Sequence, residues 1–280
     1  KKVLDHVIGT IHASPLKNVP GSTYYYLDID NIWPEEFYTE LVERMPTSLR
    51  GYTPLSKMYR DRYRYELGHG ENIELNISKL EIFGAEDKAF WTEFQQYFIQ
   101  DQTLAHTIME KYGEHLAYDY TAKRWKANCR LCKDLSGYSI GVHSDWKDKL
   151  FSCIFYTPKE YNESKRQDWG TQILVAKDPK MPPNAEVHHQ YNSDGSSDLF
   201  DLYHWVECRP NSMFSWCVTL DSYHGVPSVK SPGYRDTIQL FAKCNNHVVS
   251  YFPVFTVMEC VTTNLRSASR VTRVKRAKRR

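Results

Sequence analysis

Residues 137–145 read Gly-Tyr-Ser-Ile-Gly-Val-His-Ser-Asp, and this stretch decides how the second half of the chain is interpreted. On a β-strand, residues two apart project from the same face, so His143 and Asp145 would present an imidazole nitrogen and a carboxylate oxygen to one point. A third donor, His224, follows in the phrase Ser-Tyr-His-Gly-Val. Two histidines and one carboxylate on one side of a metal leave positions open, the arrangement of non-haem Fe(II) centres. The sequence therefore predicts that His143, Asp145 and His224 hold a metal.

A buried arginine side chain is predicted close to these three residues. A His-x-Asp pair alone is common and carries little weight, but Arg235 stands eleven residues after His224, at the start of the largely apolar run 238–241. A guanidinium inside a barrel needs an anionic partner. A dicarboxylic acid would supply one through a bidentate bond, and Thr237 is expected to face the same way and donate another. The alternative is a structural ion pair between Arg235 and an acidic side chain.

The residues before and after position 117 differ in periodicity. The first 22 residues predict an irregular lead-in, whereas the helical spacing of apolar residues predicts helices over 33–45 and 86–112. From about residue 117, short β-rich runs alternate with turn residues. This order predicts a mainly β fold with flanking helices. The expected architecture is a double-stranded β-helix (jelly roll) with the helices packed against the outer face of one sheet.

Two polar segments leave alternatives open. The run 59–65, rich in Tyr and Arg, fits either an edge strand or a loop. The loop 178–201, rich in Asn, Ser, Asp, Pro and His, fits a lid or a substrate-recognition segment, with disorder as the alternative. Its His188 and His189 are expected to face solvent.

A single domain is predicted over residues 1–265, with helical and irregular structure over 1–116 and the jelly-roll core over about 117–260. Residues 266–280 carry eight Lys or Arg and no acid, so removing them from the total charge of +2 leaves −6 for the rest. The tail is expected to be disordered. The acidic body lacks the signature of a nucleic-acid groove.

A cytoplasmic location without a membrane span is expected. No run approaches the roughly 18 apolar residues of a span, and residues 1–20 lack the apolar stretch of a signal peptide. The seven cysteines, an odd number mostly in apolar stretches, favour reduced buried thiols. Cys129-x-x-Cys132 lies in an expected strand, where positions i and i+3 face opposite ways, so a metal shared by the two thiols is disfavoured.

Six phrases, in order along the chain, resemble the 2-oxoglutarate/Fe(II)-dependent dioxygenase superfamily in its prolyl-hydroxylase-like branch. They are Asp134–Asp145, Lys149–Tyr156, Trp169–Leu174, Pro210–Trp216, Ser222–Val226 and Arg235-x-Thr237. The resemblance covers about residues 120–245. Thr171 departs from it, because the third phrase usually carries a second glycine there. The resemblance implies a double-stranded β-helix that uses Fe(II), 2-oxoglutarate and O₂ and releases succinate and CO₂.

The resemblance also implies roles for individual residues. His143, Asp145 and His224 would be the metal ligands and the catalytic centre. Arg235 and Thr237 would hold the far carboxylate of 2-oxoglutarate.

Further contacts carry over less directly. Tyr138 and Arg130 are the candidates for a second cosubstrate contact, and the local spacing does not decide between them. Tyr156 and Trp216 are candidates for the substrate pocket, with ordinary core packing as the alternative. The expected substrate is a small molecule, with a protein side chain of the prolyl type second and nucleic acid third. A non-catalytic cupin-like binding module is the alternative from another class.

Overall fold

In the computed structural model, the described residues are 1–54, 61–69, 83–116, 125–181 and 188–244, and all of them belong to the unit Lys1–His247. The strands are β1 Lys17–Asn18, β2 Tyr25–Asp30, β3 Thr53–Pro54, β4 Arg62–His69, β5 Trp125–Asp134, β6 Ile140–His143, β7 Lys149–Tyr156, β8 Thr171–Ala176, β9 Phe200–Val206, β10 Ser212–Cys217, β11 His224–Val226 and β12 Arg235–Cys244. The helices are α1 Lys2–Ala13, α2 Glu35–Glu43, α3 Ala85–Gln95, α4 Thr103–Tyr112 and α5 Lys165–Asp168, with a π-helical stretch Gln96–Gln100 and a 3₁₀ turn Gly113–His115.

The strand order defines the architecture. The larger sheet runs β1-β2-β10-β7-β12-β5-β4-β3, and the smaller one runs β6-β11-β8-β9. Every strand pair is antiparallel. From β5 to β12 the chain passes back and forth between the two sheets, with β8 and β9 as the one hairpin that stays in the smaller sheet. This arrangement of eight strands is a jelly roll, so the predicted double-stranded β-helix is confirmed.

Large apolar side chains fill the space between the two sheets. The buried cluster there includes Tyr138, Ile154, Trp169, Phe214 and Trp216. Alternate residues of β7 and β10 contribute to it, because successive side chains of a strand point to opposite faces. The remaining polar residues of the inner faces therefore lie in a largely water-free interior.

The helices pack on the outer face of the larger sheet, as predicted. The ring of Trp33, just before α2, lies 5.0 Å from that of Phe155 on β7. The Tyr112 hydroxyl at the end of α4 is 3.0 Å from the Ser215 hydroxyl on β10. The stretch predicted as one helix over 86–112 divides at Gln102, whose φ of 57° is left-handed and interrupts the helical path.

The prediction of an irregular segment over residues 1–22 is wrong for its first half. Helix α1 occupies Lys2–Ala13 and packs on α4. Leu4, Val7 and Ile11, spaced by three and four residues, form its buried face. Only three apolar residues form this face, and polar residues lie between them, so the helical periodicity is weak in the sequence.

Other predictions meet the structure as follows. The run 59–65 falls partly on a strand, since β4 begins at Arg62 and pairs with β5. Cys129 and Cys132 are buried on β5, and burial raises the pKa of both thiols. Within the described ranges, no helix is long and apolar enough to cross a membrane. The basic tail lies outside the described residues.

Candidate metal centre

Two neighbouring strands of the smaller sheet bring the predicted histidines together. β6 ends at His143, β11 begins at His224, and the two residues are direct partners in the antiparallel register. Asp145 follows two residues after β6 ends. One donor atom from each of the three side chains lies within 4.8 Å of the other two, and the three residues are 6–8% exposed. Such spacing lets one cation contact all three.

Backbone carbonyls fix which nitrogen each histidine offers. The Nδ1 atom of His143 lies 2.7 Å from the Gly141 carbonyl, and Nδ1 of His224 lies 3.0 Å from the Ser222 carbonyl. A carbonyl can only accept, so each Nδ1 carries the proton and each Nε2 keeps its lone pair. This arrangement is the usual support of metal-binding histidines.

The protonation states also suit metal binding. Burial lowers the pKa of His143 and of His224, so both rings are neutral near pH 7. Burial alone would raise the pKa of Asp145, but its surroundings, above all the Lys149 ammonium, hold the pKa below its ordinary value, and the carboxyl is ionised. Lys149 Nζ is 2.5 Å from one carboxylate oxygen, and the Ser152 hydroxyl donates to the other over 2.7 Å. The three ligands are thus deprotonated, as metal binding requires.

The expectation that His188 and His189 face solvent is wrong. Both are half-buried, and the His188 ring is stacked on that of His143 at an angle of 26°, with centroids 4.3 Å apart. The backbone of His189 forms two hydrogen bonds with Val142 on β6. Glycine at 141 permits this approach, because a Cβ there would lie 2.5 Å from the His189 carbonyl oxygen. His188 and His189 therefore lie against β6, which local composition did not indicate.

One cavity connects these ligands to a cationic end. Its lining includes His143, Asp145 and His224 together with Arg62 and Arg235. Asp145 contacts Ser152 of β7, whereas the Arg235 guanidinium lies 5.4 Å from the ring centre of Tyr156 on the same strand. These two β7 positions are four residues apart, roughly 13 Å along a strand. The triad and Arg235 thus occupy opposite ends.

Arg235 is fully buried and forms an ion pair with an acidic side chain, which was the alternative to a ligand-binding role in the sequence analysis. Its Nη1 lies 2.7 Å from an oxygen of Asp134, Nη2 donates to the Thr171 hydroxyl over 3.2 Å, and Nε donates to the Trp169 carbonyl. Asp134 is shared, because Arg62 donates to both its oxygens over 2.6 and 2.7 Å.

Two hydroxyls near this end lack partners within the described part of the chain. They belong to Tyr138, which lines the cavity, and to Thr237, two residues after Arg235 on β12. The Tyr156 hydroxyl, in contrast, is bonded to Thr171 over 2.8 Å. A buried polar group without a partner costs free energy, so the Tyr138 hydroxyl suits a polar ligand in the cavity, whereas Thr237 is not among the residues that line the cavity.

The remaining predicted residues lie along the cavity. Trp216 contributes a wall, with its ring 4.4 Å from that of His224. Arg130 lines the cavity and donates to the Gln239 amide oxygen over 3.1 Å. The sequence did not single out Arg62 or Asp134 as site residues. The sequence shows that both residues are charged, but it does not show that the pairing of β4, β5 and β12 brings them together with Arg235.

Comparison with known proteins adds a likeness of fold. No family model and no curated protein matches the sequence. A prolyl-4-hydroxylase from Pseudomonas putida is matched at 12% identity and a TM-score of 0.47, over 86% of this chain and 99% of that one. An oxidoreductase of the 2OG-Fe(II) oxygenase family from Burkholderia pseudomallei is matched at 10% and 0.39, over 81% and 92%. HygX from Streptomyces hygroscopicus, with nickel and 2-oxoglutarate bound, is matched at 8% and 0.42, over 79% and 83%.

The chain is similar to 2OG-Fe(II) oxygenase structures. At these identities the likeness concerns the fold, and the roles of individual residues rest on the geometry of the site.

Proposed function

We propose that this chain is an Fe(II)- and 2-oxoglutarate-dependent oxygenase that hydroxylates a C–H bond of a small molecule. One observation carries the proposal. A single cavity joins a His-Asp-His group, with its donor atoms within 4.8 Å of one another, to a buried cationic end. A metal-chelating dicarboxylate is the kind of ligand whose two ends suit these two ends.

The metal end fits a divalent transition metal. His143 and His224 offer neutral Nε2 atoms, and Asp145 offers an anionic oxygen. Two nitrogens and one oxygen on one side of a metal leave positions open for further ligands, the donor set of non-haem Fe(II) sites. When bound, iron and 2-oxoglutarate would supply the oxidative decarboxylation that turns O₂ into an oxidant of C–H bonds.

The cationic end fits the far carboxylate of 2-oxoglutarate. Arg235 places a permanent positive charge there, and a carboxylate accepts strong hydrogen bonds from a guanidinium. The Tyr138 hydroxyl, which lines the cavity, is available to donate a further bond. The proposal assigns no such role to Arg130, which lies near Gln239, four positions along β12 from Arg235.

Buried apolar side chains line the walls of the cavity. Ile154 and Trp216 are buried and line it, with Trp216 beside the metal ligand His224, so they would limit the access of water to the oxidant. The His188 ring is stacked on that of His143 beside the ligands. A small molecule is the substrate class that we propose, with a protein side chain of the prolyl type as the alternative.

The test measures succinate formation by the purified protein with Fe(II), 2-oxoglutarate and O₂ in the absence of added substrate. We expect slow turnover that depends on both iron and 2-oxoglutarate, and none with His143→Ala at any cosubstrate concentration. A protein that binds Zn(II) but neither binds nor consumes 2-oxoglutarate would instead be a non-catalytic binding module.

A second measurement separates the two substrate classes. Small molecules and proline-containing peptides are incubated with the active protein, and products are screened for a 2-oxoglutarate-dependent mass gain of one oxygen. Oxidation of peptides alone would replace the small-molecule proposal by a protein hydroxylase.

A further inference from the structure

Three charged side chains form a row across three adjacent strands of the larger sheet. Asp134 on β5 is the direct register partner of Arg62 on β4 and of Arg235 on β12. Arg62 grips the carboxylate with two hydrogen bonds of 2.6 and 2.7 Å, and Arg235 adds a third of 2.7 Å. Within the described ranges, no other carboxylate lies in ion-pair distance of either arginine.

This row carries an uncompensated charge in a buried place. Two guanidiniums and one carboxylate leave a net charge of +1. The side chains of Asp134 and Arg235 are 0% exposed and that of Arg62 is 8% exposed, so water stabilises the excess charge poorly. A buried charge without a counterion is costly. Both arginines line the cavity, where an anion could reach the row.

Asp134 raises a difficulty for a pocket with Arg235 alone. An arginine that already shares a carboxylate at 2.7 Å has its positive charge partly balanced by that carboxylate, so by itself it would bind a second carboxylate less strongly. Arg62 restores the missing charge. Its guanidinium also lies 4.3 Å from the ring centre of Tyr138, whose hydroxyl lacks a partner.

We infer that Arg62 is a second anion-binding arginine and that Asp134 sets the net charge of the pocket at +1, matched to one carboxylate. The inference rests on the proposed function, because it takes the far carboxylate of 2-oxoglutarate as the anion. It adds a residue from β4, outside the strands that hold the metal ligands, to the cosubstrate site.

The experiment compares 2-oxoglutarate with pyruvate on the Zn(II)-loaded protein by calorimetric titration. Both acids carry the 2-oxo acid group that chelates a metal, but pyruvate lacks the far carboxylate. The wild type should bind 2-oxoglutarate more tightly. Arg62→Met brings the row to zero net charge and should weaken 2-oxoglutarate roughly 10- to 100-fold, with pyruvate affinity unchanged.

The double variant Arg62→Met/Asp134→Asn separates charge from structure. It returns the net charge to +1 through Arg235 alone, so 2-oxoglutarate affinity should recover to within about threefold of the wild type. A purely structural role for Arg62 predicts instead that both variants keep the wild-type preference for 2-oxoglutarate over pyruvate, because damage to the fold does not depend on the far carboxylate of the ligand. If Arg62→Met does not fold, Asp134→Asn alone carries the test, because its net charge of +2 should tighten 2-oxoglutarate binding.

The outcomes distinguish this inference from the function beneath it. A wild type that binds the two acids equally would refute the 2-oxoglutarate site and the inference together. A wild type that prefers 2-oxoglutarate, with Arg62→Met equally selective or the double variant not recovering, would overturn the role of Arg62 alone. Looser binding by Asp134→Asn would do the same.

Discussion

Replacement of Arg235 by glutamine should weaken cosubstrate binding far more than it slows the reaction. The guanidinium lies at the end of the cavity opposite the metal ligands and would contact the part of 2-oxoglutarate that does not react. An interaction present equally in the ground and transition states affects KM rather than kcat. Arg235→Gln should therefore raise the KM for 2-oxoglutarate with little change in kcat.

The magnitude follows from the burial of Arg235. Hydrogen bonds between a charged, desolvated pair contribute roughly 2–4 kcal/mol, or about 30- to 1000-fold in affinity. The fold should tolerate the change, because Asp134 keeps both hydrogen bonds from Arg62. The bonds lost to Asp134, Thr171 and the Trp169 carbonyl should cost about 2–4 kcal/mol of unfolding free energy.

The assay measures substrate-uncoupled succinate formation over a wide range of 2-oxoglutarate. His143→Ala is the matched control, because it should abolish turnover at every concentration by removing a metal ligand. Denaturant unfolding of each variant reports the folded fraction. A folded Arg235→Gln protein with the wild-type KM would show that Arg235 belongs only to the ion pair with Asp134.

Two further substitutions, the second with a control at Gly9, test the packing of the fold. Lys133→Met should destabilise the fold by roughly 3–5 kcal/mol at pH 7.5, because it strands Asp236, paired 2.5 Å away. Burial raises the pKa of Asp236 to about 6, so the folded protein takes up a proton as the pH falls below 6, and the difference in unfolding free energy between the two proteins should shrink by pH 5. Urea unfolding of both proteins at pH 7.5 and pH 5 measures this difference, and an equal difference at the two pH values would contradict the prediction. Gly141→Ala should cost roughly 1–3 kcal/mol, because the new Cβ meets the His189 carbonyl. Gly9→Ala, in an exposed helical position with open space, should instead stabilise by about 0.5–1 kcal/mol, and equal effects in thermal unfolding would refute the steric argument.

The metal end could be predicted because its geometry is local. His143 and Asp145 are two residues apart at the end of a strand, and strand periodicity places them on one side. The partner His224 needed only the expectation of a neighbouring strand, and the register pairs it directly with His143. Alternation and turn residues likewise predicted the jelly roll, since both act over a few residues.

The cationic end could be predicted only in part, because it depends on pairing between distant segments. Arg62 precedes Asp134 by 72 residues and Arg235 follows it by 101. No local pattern specifies that these three positions share one row. The sequence therefore indicated a buried arginine and the choice between a ligand and an ion pair. It could not show that a second arginine, Arg62, would allow Arg235 both to pair with Asp134 and to bind a ligand.

Strand pairing positions the side chains at each end of the cavity. At one end, the register of β6 with β11 sets the histidines opposite each other, and carbonyls two residues before each ring fix the nitrogen that it presents. At the other, the registers of β5 with β4 and β12 set the two arginines beside Asp134. Strand pairing fixes each end within its own sheet, the histidines on the smaller sheet and the arginines on the larger one, so the separation of the two ends depends on how the two sheets pack. A cavity built in this way selects a ligand by the distance between its chelating group and its far charge, which is why comparing 2-oxoglutarate with pyruvate tests this part of the molecule directly.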